Sequence, residues 1–315
     1  MTDRGEIEVG ARLRTTSTLA MAKGWPMALL RTCRPRQWAK NVLVFAAPAA
    51  AEVLDEREAF VRTLVAFVAF CMASSAVYIT NDLADIEADR HHPVKQHRPL
   101  ASGALPVSIA RTAAIVLVPG SLVVAMLTGE WRFAVVVAMY LVVSFAYSAR
   151  LKHVAVLDLV IVASGFLLRA VGGALAVDVP VSEWFLIVFS FGSLFVVTGK
   201  RFSELKEFGE RAGEMRASLD GYTLPFLRMV LGMSAAATMV AYCTFAFEKA
   251  ASAAPGGAVW YQLSAIPVVT ALLRYALVVE QGHGGAPEDV FLYDRMLQVL
   301  MLIFLVLFGV GVVVG

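Results

Sequence analysis

Four acidic side chains crowd into nine residues at the end of a long apolar run, Phe60 to Thr80. On a continuous helix, the three- and four-residue spacing places five side chains on one face: Tyr78, Asn81, Asp82, Asp85 and Asp89. Carboxylates this close repel each other unless a cation lies among them, and oxygen ligands of this kind suit Mg²⁺. The spacing therefore predicts a Mg²⁺ site in this motif, among Asn81, Asp82, Asp85 and Asp89.

The alternative is a solvated helix end with ordinary surface charges. We favour the metal site because acidic residues at a helix C-terminus oppose the helix dipole and need a compensating interaction.

Basic residues in other segments indicate the kind of ligand that the metal would bind. Lys95 and Arg98 lie in the loop after the acidic motif. Lys40 lies at the start of the first apolar run, and Arg150 and Lys152 lie in a short turn between two later runs. Lys and Arg beside Mg-type carboxylates are typical of a polyphosphate site. We expect these residues and Tyr78 to bind substrate, although membrane topology alone also predicts basic turns. The loop histidines are more typical of polar contacts than of metal ligands.

Two charged residues, Asp158 and Arg169, lie within one later apolar run. They share a helical stripe, but eleven residues of helix cover about 16 Å, too far for a direct ion pair. An arginine inside an apolar span is costly and normally faces a cavity. We therefore expect Arg169 to contact the ligand rather than to serve a structural pair.

A second polar motif, Lys200-Arg201-x-x-Glu204, has the same spacing as Asn81-Asp82-x-x-Asp85. The match predicts an internal repeat with an acidic site in one half and a basic site in the other, facing each other across a membrane cavity. We expect Lys200, Arg201 and Glu204 to contribute to substrate binding. The alternative is a set of juxtamembrane residues that bind anionic lipids.

The composition requires a polytopic membrane protein, because 59% of the 315 residues are hydrophobic, 17% are charged and the mean hydropathy is +0.71. Three scattered cysteines argue against a disulfide framework or a zinc site. We predict a cytosolic tail at 1–34 and a transmembrane catalytic domain at 35–315. Runs long enough to cross a bilayer occur at nine places, at about 38–54, 60–83, 106–128, 131–148, 154–177, 182–204, 223–248, 257–280 and 291–314.

The distribution of Lys and Arg among the short loops sets the predicted orientation. It places the N-terminus and the polar motifs inside and the C-terminus outside, which requires an odd number of spans. The expected location is the plasma (inner) membrane, with the active site facing the cytosol. We expect membrane lipids and small phosphorylated molecules as partners, and no nucleic acid. A homo-oligomer is left open.

These residues resemble the UbiA superfamily of intramembrane prenyltransferases from Arg34 onward. The family motif NDxxDxxxD is matched by Asn81, Asp82, Asp85 and Asp89, and His97 to Gly103 is similar to its RPL-x-x-G segment. The resemblance implies an all-α fold, with nine transmembrane helices around a central cavity that opens to the cytosol and laterally to the bilayer. It also implies an Mg²⁺-dependent transferase in which Asp82, Asp85 and Asp89 are catalytic residues.

The second motif departs from the usual family pattern, in which another Asp-rich sequence holds a second Mg²⁺ against a prenyl diphosphate. Lys200 and Arg201 replace the first acid here, and this resembles one branch that transfers phosphoribose. In that branch, 5-phosphoribosyl 1-diphosphate (PRPP) donates to a polyprenyl (decaprenyl) phosphate, giving a precursor of the lipid-linked arabinose donor for cell-wall arabinan. The metal residues would then polarise the diphosphate, and the basic residues would stabilise its charge.

Two other functions fit the sequence less well. A prenyl-diphosphate transferase acting on an aromatic or haem-like acceptor should show two complete acidic motifs, whereas this chain shows one. A transporter of phosphorylated solutes should show paired Gly or Pro interruptions in its two halves, whereas the prolines here are scattered.

Overall fold

The computed structural model describes residues 24–254 and 256–314, except for the side chains at 210, 214 and 215. Within these ranges the chain forms helices joined by turns and contains no β-strand, which confirms the predicted all-α class. Most of the predicted N-terminal tail, residues 1–23, lies outside the described part of the chain. Residues 24–33 are helical, and the boundary at residue 34 stays a prediction.

Thirteen α-helices follow this first helical segment: α1 (Ala46–Ala50), α2 (Arg57–Ala84), α3 (Ile86–His91), α4 (Val107–Met126), α5 (Trp131–Ala149), α6 (Leu157–Ala176), α7 (Glu183–Phe208), α8 (Ala212–Met215), α9 (Leu224–Ser252), α10 (Ala258–Leu263), α11 (Ala265–Glu280), α12 (Pro287–Tyr293) and α13 (Arg295–Val314). A 3₁₀ helix of eleven residues, Pro35–Phe45, comes directly before α1. Shorter 3₁₀ helices lie between later α-helices: Lys95–His97, Leu151–His153, Gly209–Arg211 and Ala217–Gly221.

Eight helical segments in the described part of the chain are long and apolar enough to cross a membrane, with α10 and α11 counted together. They correspond to eight of the nine predicted spans. The predicted first span, 38–54, is instead the 3₁₀ helix Pro35–Phe45 followed by the short α1. Because a 3₁₀ helix rises about 2.0 Å per residue, its eleven residues cover about 22 Å. The count of nine, the orientation and the cavity stay predictions.

The chain divides into two compact units, of which the first comprises Met1–Val42 and Leu64–Leu141. In the part of this unit that the structure describes, the helix at 24–33 contributes Ala28 to a buried cluster with Ile79, Leu100 and Leu105. This packing ties the end of α2 to the loop that follows α3.

The 3₁₀ segment of the first unit is held against α2 by side-chain hydrogen bonds. Trp38 Nε1 donates to Ser75 Oγ at 3.1 Å. Asn41 Nδ2 donates to Ser74 Oγ at 3.4 Å and contacts Cys71 Sγ at 3.2 Å. Side chains three residues apart eclipse one another in a 3₁₀ helix, so these two polar groups form one row that faces α2.

The second unit comprises Leu43–Thr63 and Val142–Gly315. Its core contains buried apolar side chains of α7, α9 and α11, including Phe195, Leu227 and Val279. Helix α6 approaches another backbone at Gly173, where an added Cβ would lie 1.8 Å from the carbonyl oxygen of Val44. Small residues permit such close approach in membrane proteins, so this position requires glycine.

Candidate active site

The acidic motif lies where α2 ends and α3 begins. Helix α2 ends at Ala84 and α3 starts at Ile86, so the predicted single helix is interrupted at Asp85. The backbone ladder nevertheless continues: the amide of Asp85 donates to Asn81 O at 3.0 Å, and the amide of Asp89 donates to Asp85 O at 2.8 Å. The break is therefore slight, and Asp82 and Asp89 still converge.

We define the acid cluster as Asp82, Asp89, Arg34 and Arg98. Arg34 Nη2 lies 2.6 Å from Asp82 Oδ1. Arg98 Nη1 contacts both acids, at 3.2 Å from Asp82 Oδ1 and 2.7 Å from Asp89 Oδ2. The carboxylate side chains are 3% and 4% exposed, whereas both arginine side chains are 28% exposed. Buried negative charge is thus covered by partly exposed positive charge.

Sequence reasoning missed Arg34 as a site residue. Its guanidinium lies over the Tyr78 ring, 4.8 Å from the centroid, besides pairing with Asp82. Its backbone has a φ of 54°, which is uncommon for a residue other than glycine. The available signal was its position: an arginine directly before Pro35, where one helix must end and another begin.

Arg98 is positioned by the turn that the RPL-x-x-G segment forms. The amide of Ser102 donates to Arg98 O at 2.9 Å, and Gly103 adopts a φ of 79°, a conformation that favours glycine. Leu100 and Leu105, which lie before and after Gly103, are 2% and 1% exposed. The apolar side chains anchor the turn, and the turn directs Arg98 towards the acids.

The described residues contain no group of three or more His, Cys, Asp or Glu side chains arranged to hold a metal ion. Mg²⁺ needs no such cage, because it usually takes one or two carboxylates together with substrate phosphates and water. Asp82 and Asp89 provide such a pair, since one guanidinium nitrogen reaches both. The donor set therefore fits Mg²⁺ bound together with a phosphorylated substrate.

Other predicted residues of the first unit lie near the acid cluster in sequence. The side chains of Asn81, Asp85, Lys40 and Lys95 are all partly buried. Their roles as metal ligands or substrate contacts stay predictions.

The second unit contains a different arrangement, the Asp158 cluster, which comprises Asp158, Lys200, Arg201, Glu204, Ser218 and Tyr222. Arg201 Nε donates to Asp158 Oδ2 at 2.8 Å, and its Nη1 donates to Glu204 Oε2 at 2.8 Å. Lys200 Nζ lies 3.9 Å from Glu204 Oε1. The exposed fraction of the side chain is 0% for Asp158 and 3% for Arg201, but 19% for Glu204 and 34% for Lys200.

The loop after α7 joins this cluster. Ser218 Oγ donates to Asp158 Oδ2 at 3.2 Å, and the Tyr222 hydroxyl donates to Asp158 Oδ1. The same hydroxyl accepts from the amide of Val156 at 2.6 Å. Burial and the hydrogen bond to Asp158 hold the pKa of the Tyr222 phenol well above its usual value. The hydroxyl therefore remains a proton donor to Asp158 at physiological pH.

The remaining predicted residues of the second unit differ in exposure. Arg169 is 6% exposed and donates to Gly165 O of its own helix at 2.6 Å. Arg150 is exposed and Lys152 is partly buried, both at the Leu151–His153 turn. The Arg201 side chain is only 3% exposed and pairs with two carboxylates, those of Asp158 and Glu204, so it holds the cluster together. Its predicted role in substrate binding stays a prediction.

Residues 42–313 match the model of the UbiA prenyltransferase family, and the chain belongs to that family. It is similar to proteins named decaprenyl-phosphate phosphoribosyltransferase. The one from Mycolicibacterium smegmatis is 43% identical, over 94% of this chain and 95% of the relative. The one from Mycobacterium tuberculosis is 44% identical, over 91% of this chain and 95% of the relative.

A solved structure agrees in fold. A UbiA homologue from Archaeoglobus fulgidus, bound to DMAPP and Mg²⁺, superimposes with a TM-score of 0.68 and 18% identity. The match covers 91% of this chain and 98% of that one. At this identity the likeness establishes the fold alone.

Proposed function

We propose that this chain transfers the phosphoribosyl group of PRPP to a polyprenyl phosphate, decaprenyl phosphate being the acceptor named for its relatives. The observation that carries the proposal is the end-to-end similarity, at 43% and 44% identity, to relatives named for that reaction. Two polar clusters in a membrane protein of the UbiA family support it, since the reaction joins a water-soluble donor to a lipid. The chain is accordingly an enzyme of the transferase class.

The acid cluster is assigned to the diphosphate of the donor. Asp82 and Asp89, with Asn81 and Asp85 beside them in the motif, would hold Mg²⁺, which when bound neutralises charge on the diphosphate leaving group. Arg34 and Arg98 are the chain's own cations at this place, and both are partly exposed. A guanidinium that already contacts a carboxylate can also donate to a phosphate oxygen, because it carries five N–H groups.

The basic residues elsewhere are assigned to the remaining phosphates and the ribose. Lys200 is the partly exposed cation of the Asp158 cluster, so it is the one there that best reaches substrate. We assign further contacts to the other predicted binding residues: Lys40, Tyr78, Lys95, Arg150, Lys152, Arg169, Arg201 and Glu204.

The bond changes need no general base. A phosphate oxygen of the acceptor, already ionised at pH 7, attacks C1 of the ribose and forms the new C1–O bond. The old C1–O bond breaks, and its electron pair leaves with the diphosphate. Negative charge grows on that leaving group, so preorganised cations are the chain's main contribution to the transition state. Attack opposite the leaving group converts an α donor into a β product.

The proposed setting is the cytosolic side of the plasma membrane, where PRPP is available. The product would be a precursor of the lipid-linked arabinose donor for cell-wall arabinan. These details follow the resemblance and the distribution of basic residues.

A prenyl-diphosphate transferase is the second candidate, because the Archaeoglobus fulgidus homologue was solved with DMAPP and Mg²⁺. In this chain, however, the carboxylates of the second polar cluster are occupied by Arg201, which bridges Asp158 and Glu204. A permanent guanidinium between these acids disfavours a second metal there.

The deciding experiment measures diphosphate release by the purified protein in lipid nanodiscs. With Mg²⁺, PRPP and decaprenyl phosphate, we expect release of diphosphate and formation of phosphoribosyl lipid. Omission of the lipid phosphate, or removal of Mg²⁺ with EDTA, should abolish both. A preparation that transfers a dimethylallyl group from DMAPP to an aromatic acceptor, and leaves PRPP intact, would establish the second candidate instead.

A further inference from the structure

The loop between α7 and α9 returns to the start of α6 and is fastened there. Ser218 and Tyr222 both donate to Asp158, and the Tyr222 hydroxyl also accepts from the amide of Val156. Leu219 between them is 1% exposed. Three hydrogen bonds and a buried apolar side chain therefore fix the end of this loop.

Arg216 lies just before the fastened part of the loop. Its Nη1 donates to the Tyr147 hydroxyl at 2.7 Å, which fixes its guanidinium. Arg201, next to Lys200 on α7, and Ser218, two residues after Arg216, both donate to Asp158 Oδ2, at 2.8 Å and 3.2 Å. The loop thus brings a second cation to the end of α7.

Lys200 and Arg216 differ from Arg201 in access. Arg201 has a 3% exposed side chain and two carboxylate contacts, so it is less accessible to an incoming anion than Lys200 is. Lys200 is 34% exposed, its nearest carboxylate oxygen is 3.9 Å away, and Arg216 is partly exposed. Two neighbouring, accessible cations, one of them a guanidinium held by a tyrosine, suit the several oxygens of a phosphate group.

We propose that Lys200 and Arg216 together bind a phosphate monoester, and that Asp158 is a positioning residue that holds Arg216 in place through Ser218 and Tyr222. The inference rests on the proposed function, which supplies two candidate groups of this chemistry: the 5-phosphate of PRPP and the phosphate of the polyprenyl acceptor. Arg216 is the binding residue that this adds. Asp158 and Tyr222 act on it at a distance and touch no substrate.

The first test is Arg216→Ala, with Arg211→Ala as its matched control. Arg211 is exposed on the same loop, so its replacement removes the same charge. We expect Arg216→Ala to raise one KM about tenfold, the usual value of one charge-assisted hydrogen bond, and to change kcat little. A raised KM for PRPP identifies the 5-phosphate, and a raised KM for decaprenyl phosphate identifies the lipid phosphate. If neither KM rises beyond that of the control, the phosphate site is refuted.

The second test separates positioning from general damage. Replacing Asp158 breaks its buried pair with Arg201 and endangers folding, so Tyr222→Phe is preferred: it removes one hydroxyl and keeps the ring that stacks on Phe226. We expect Tyr222→Phe to raise the same KM about threefold alone, and not at all in the Arg216→Ala background. Additive effects in the double variant would contradict a role exercised through Arg216.

The two levels of the proposal fail in distinguishable ways. A wild-type protein that neither binds PRPP in calorimetry nor turns it over overturns the proposed function, and this inference with it. A wild-type protein that is active, with Arg216→Ala equal to Arg211→Ala for both substrates, overturns the phosphate site alone.

Discussion

The acid cluster and the Asp158 cluster are both built from aspartate–arginine pairs, yet they are arranged in opposite ways. In the acid cluster, the aspartates are buried and the two arginines are partly exposed. In the Asp158 cluster, the arginine itself is buried, with a 3% exposed side chain against a fully buried aspartate. The first cluster therefore has cations near the surface, and the second has a cation enclosed in the protein.

The exposure of the arginines decides whether another cation can replace them as the partner of the buried aspartates. A partly exposed guanidinium can leave a carboxylate at modest cost, because water solvates it when it moves. An enclosed guanidinium such as that of Arg201 cannot, because water does not reach it to replace the carboxylate that it would leave. We therefore expect the acid cluster to accept Mg²⁺ and substrate, and the buried Asp158–Arg201 pair to serve as a fixed framework for Lys200 and the other residues around it.

The largest effect should come from the acidic motif. Asp85→Ala should lower turnover by at least about 10³-fold, because loss of a metal ligand forfeits several kcal/mol of transition-state stabilisation. The folded state should persist, since Asp85 lies at a helix break and is only partly buried. Glu87→Ala is the matched control, because this exposed acid of the same motif pairs with Arg90 at the surface. Wild-type turnover in Asp85→Ala would contradict the metal assignment.

The second effect compares stability between the clusters. Asp158→Asn should lower the free energy of unfolding by about 3 kcal/mol or more, because Arg201 loses a buried partner. Asp82→Asn should cost about 1 kcal/mol, because the arginines released are partly exposed. Thermal unfolding in nanodiscs measures both. Equal losses would show that exposure does not distinguish the two clusters.

The third effect concerns Arg34, which only the structure identified. Arg34→Ala should lower kcat/KM for PRPP about tenfold, the equivalent of one charge-assisted contact. Arg62→Ala provides the comparison, since it removes the same charge from an exposed pair at the far end of α2. An Arg34→Ala enzyme no slower than Arg62→Ala would restrict Arg34 to a structural role.

The smallest effect is expected for an exposed ion pair outside both clusters, with which the ion pairs of the two clusters can be compared. Arg228 and Glu280 form an ion pair of 2.6 Å with side chains 58% and 43% exposed. Exposed pairs contribute about 0–1 kcal/mol, so Glu280→Ala should shift the unfolding midpoint hardly at all. A large shift would mean that simple exposure misjudges ion pairs in this protein.

Much of the fold could be predicted from the sequence, because membrane spans are set by apolar length, which is local information. Eight of the predicted spans correspond to helices. The segment 35–45 could not be predicted as a 3₁₀ helix, since its preference depends on hydrogen bonds from Trp38 and Asn41 to α2, not on its own composition.

The candidate site was predicted less completely, because its pairs join residues far apart in sequence. Helical spacing argued against a pair between Asp158 and Arg169, but it gave no means of finding Arg201, which donates to Asp158 from 43 residues away on the next span. The same holds for Arg34 and Asp82, which are 48 residues apart. Residues close in sequence, such as Asp82 and Asp89, were placed together by their spacing alone, and Arg98 contacts both although the helix is interrupted between them at Asp85.

The 3₁₀ segment also determines how this region tolerates changes in length. With three residues per turn, its side chains form straight rows, and one row carries Trp38 and Asn41 against α2. Deleting a single residue just before Trp38 would turn the following rows by about 120°. The neighbouring row, with Ala39 and Val42, would then meet α2 in place of Trp38 and Asn41. Insertions and deletions before Trp38 therefore keep this packing only when they change the length by a multiple of three residues.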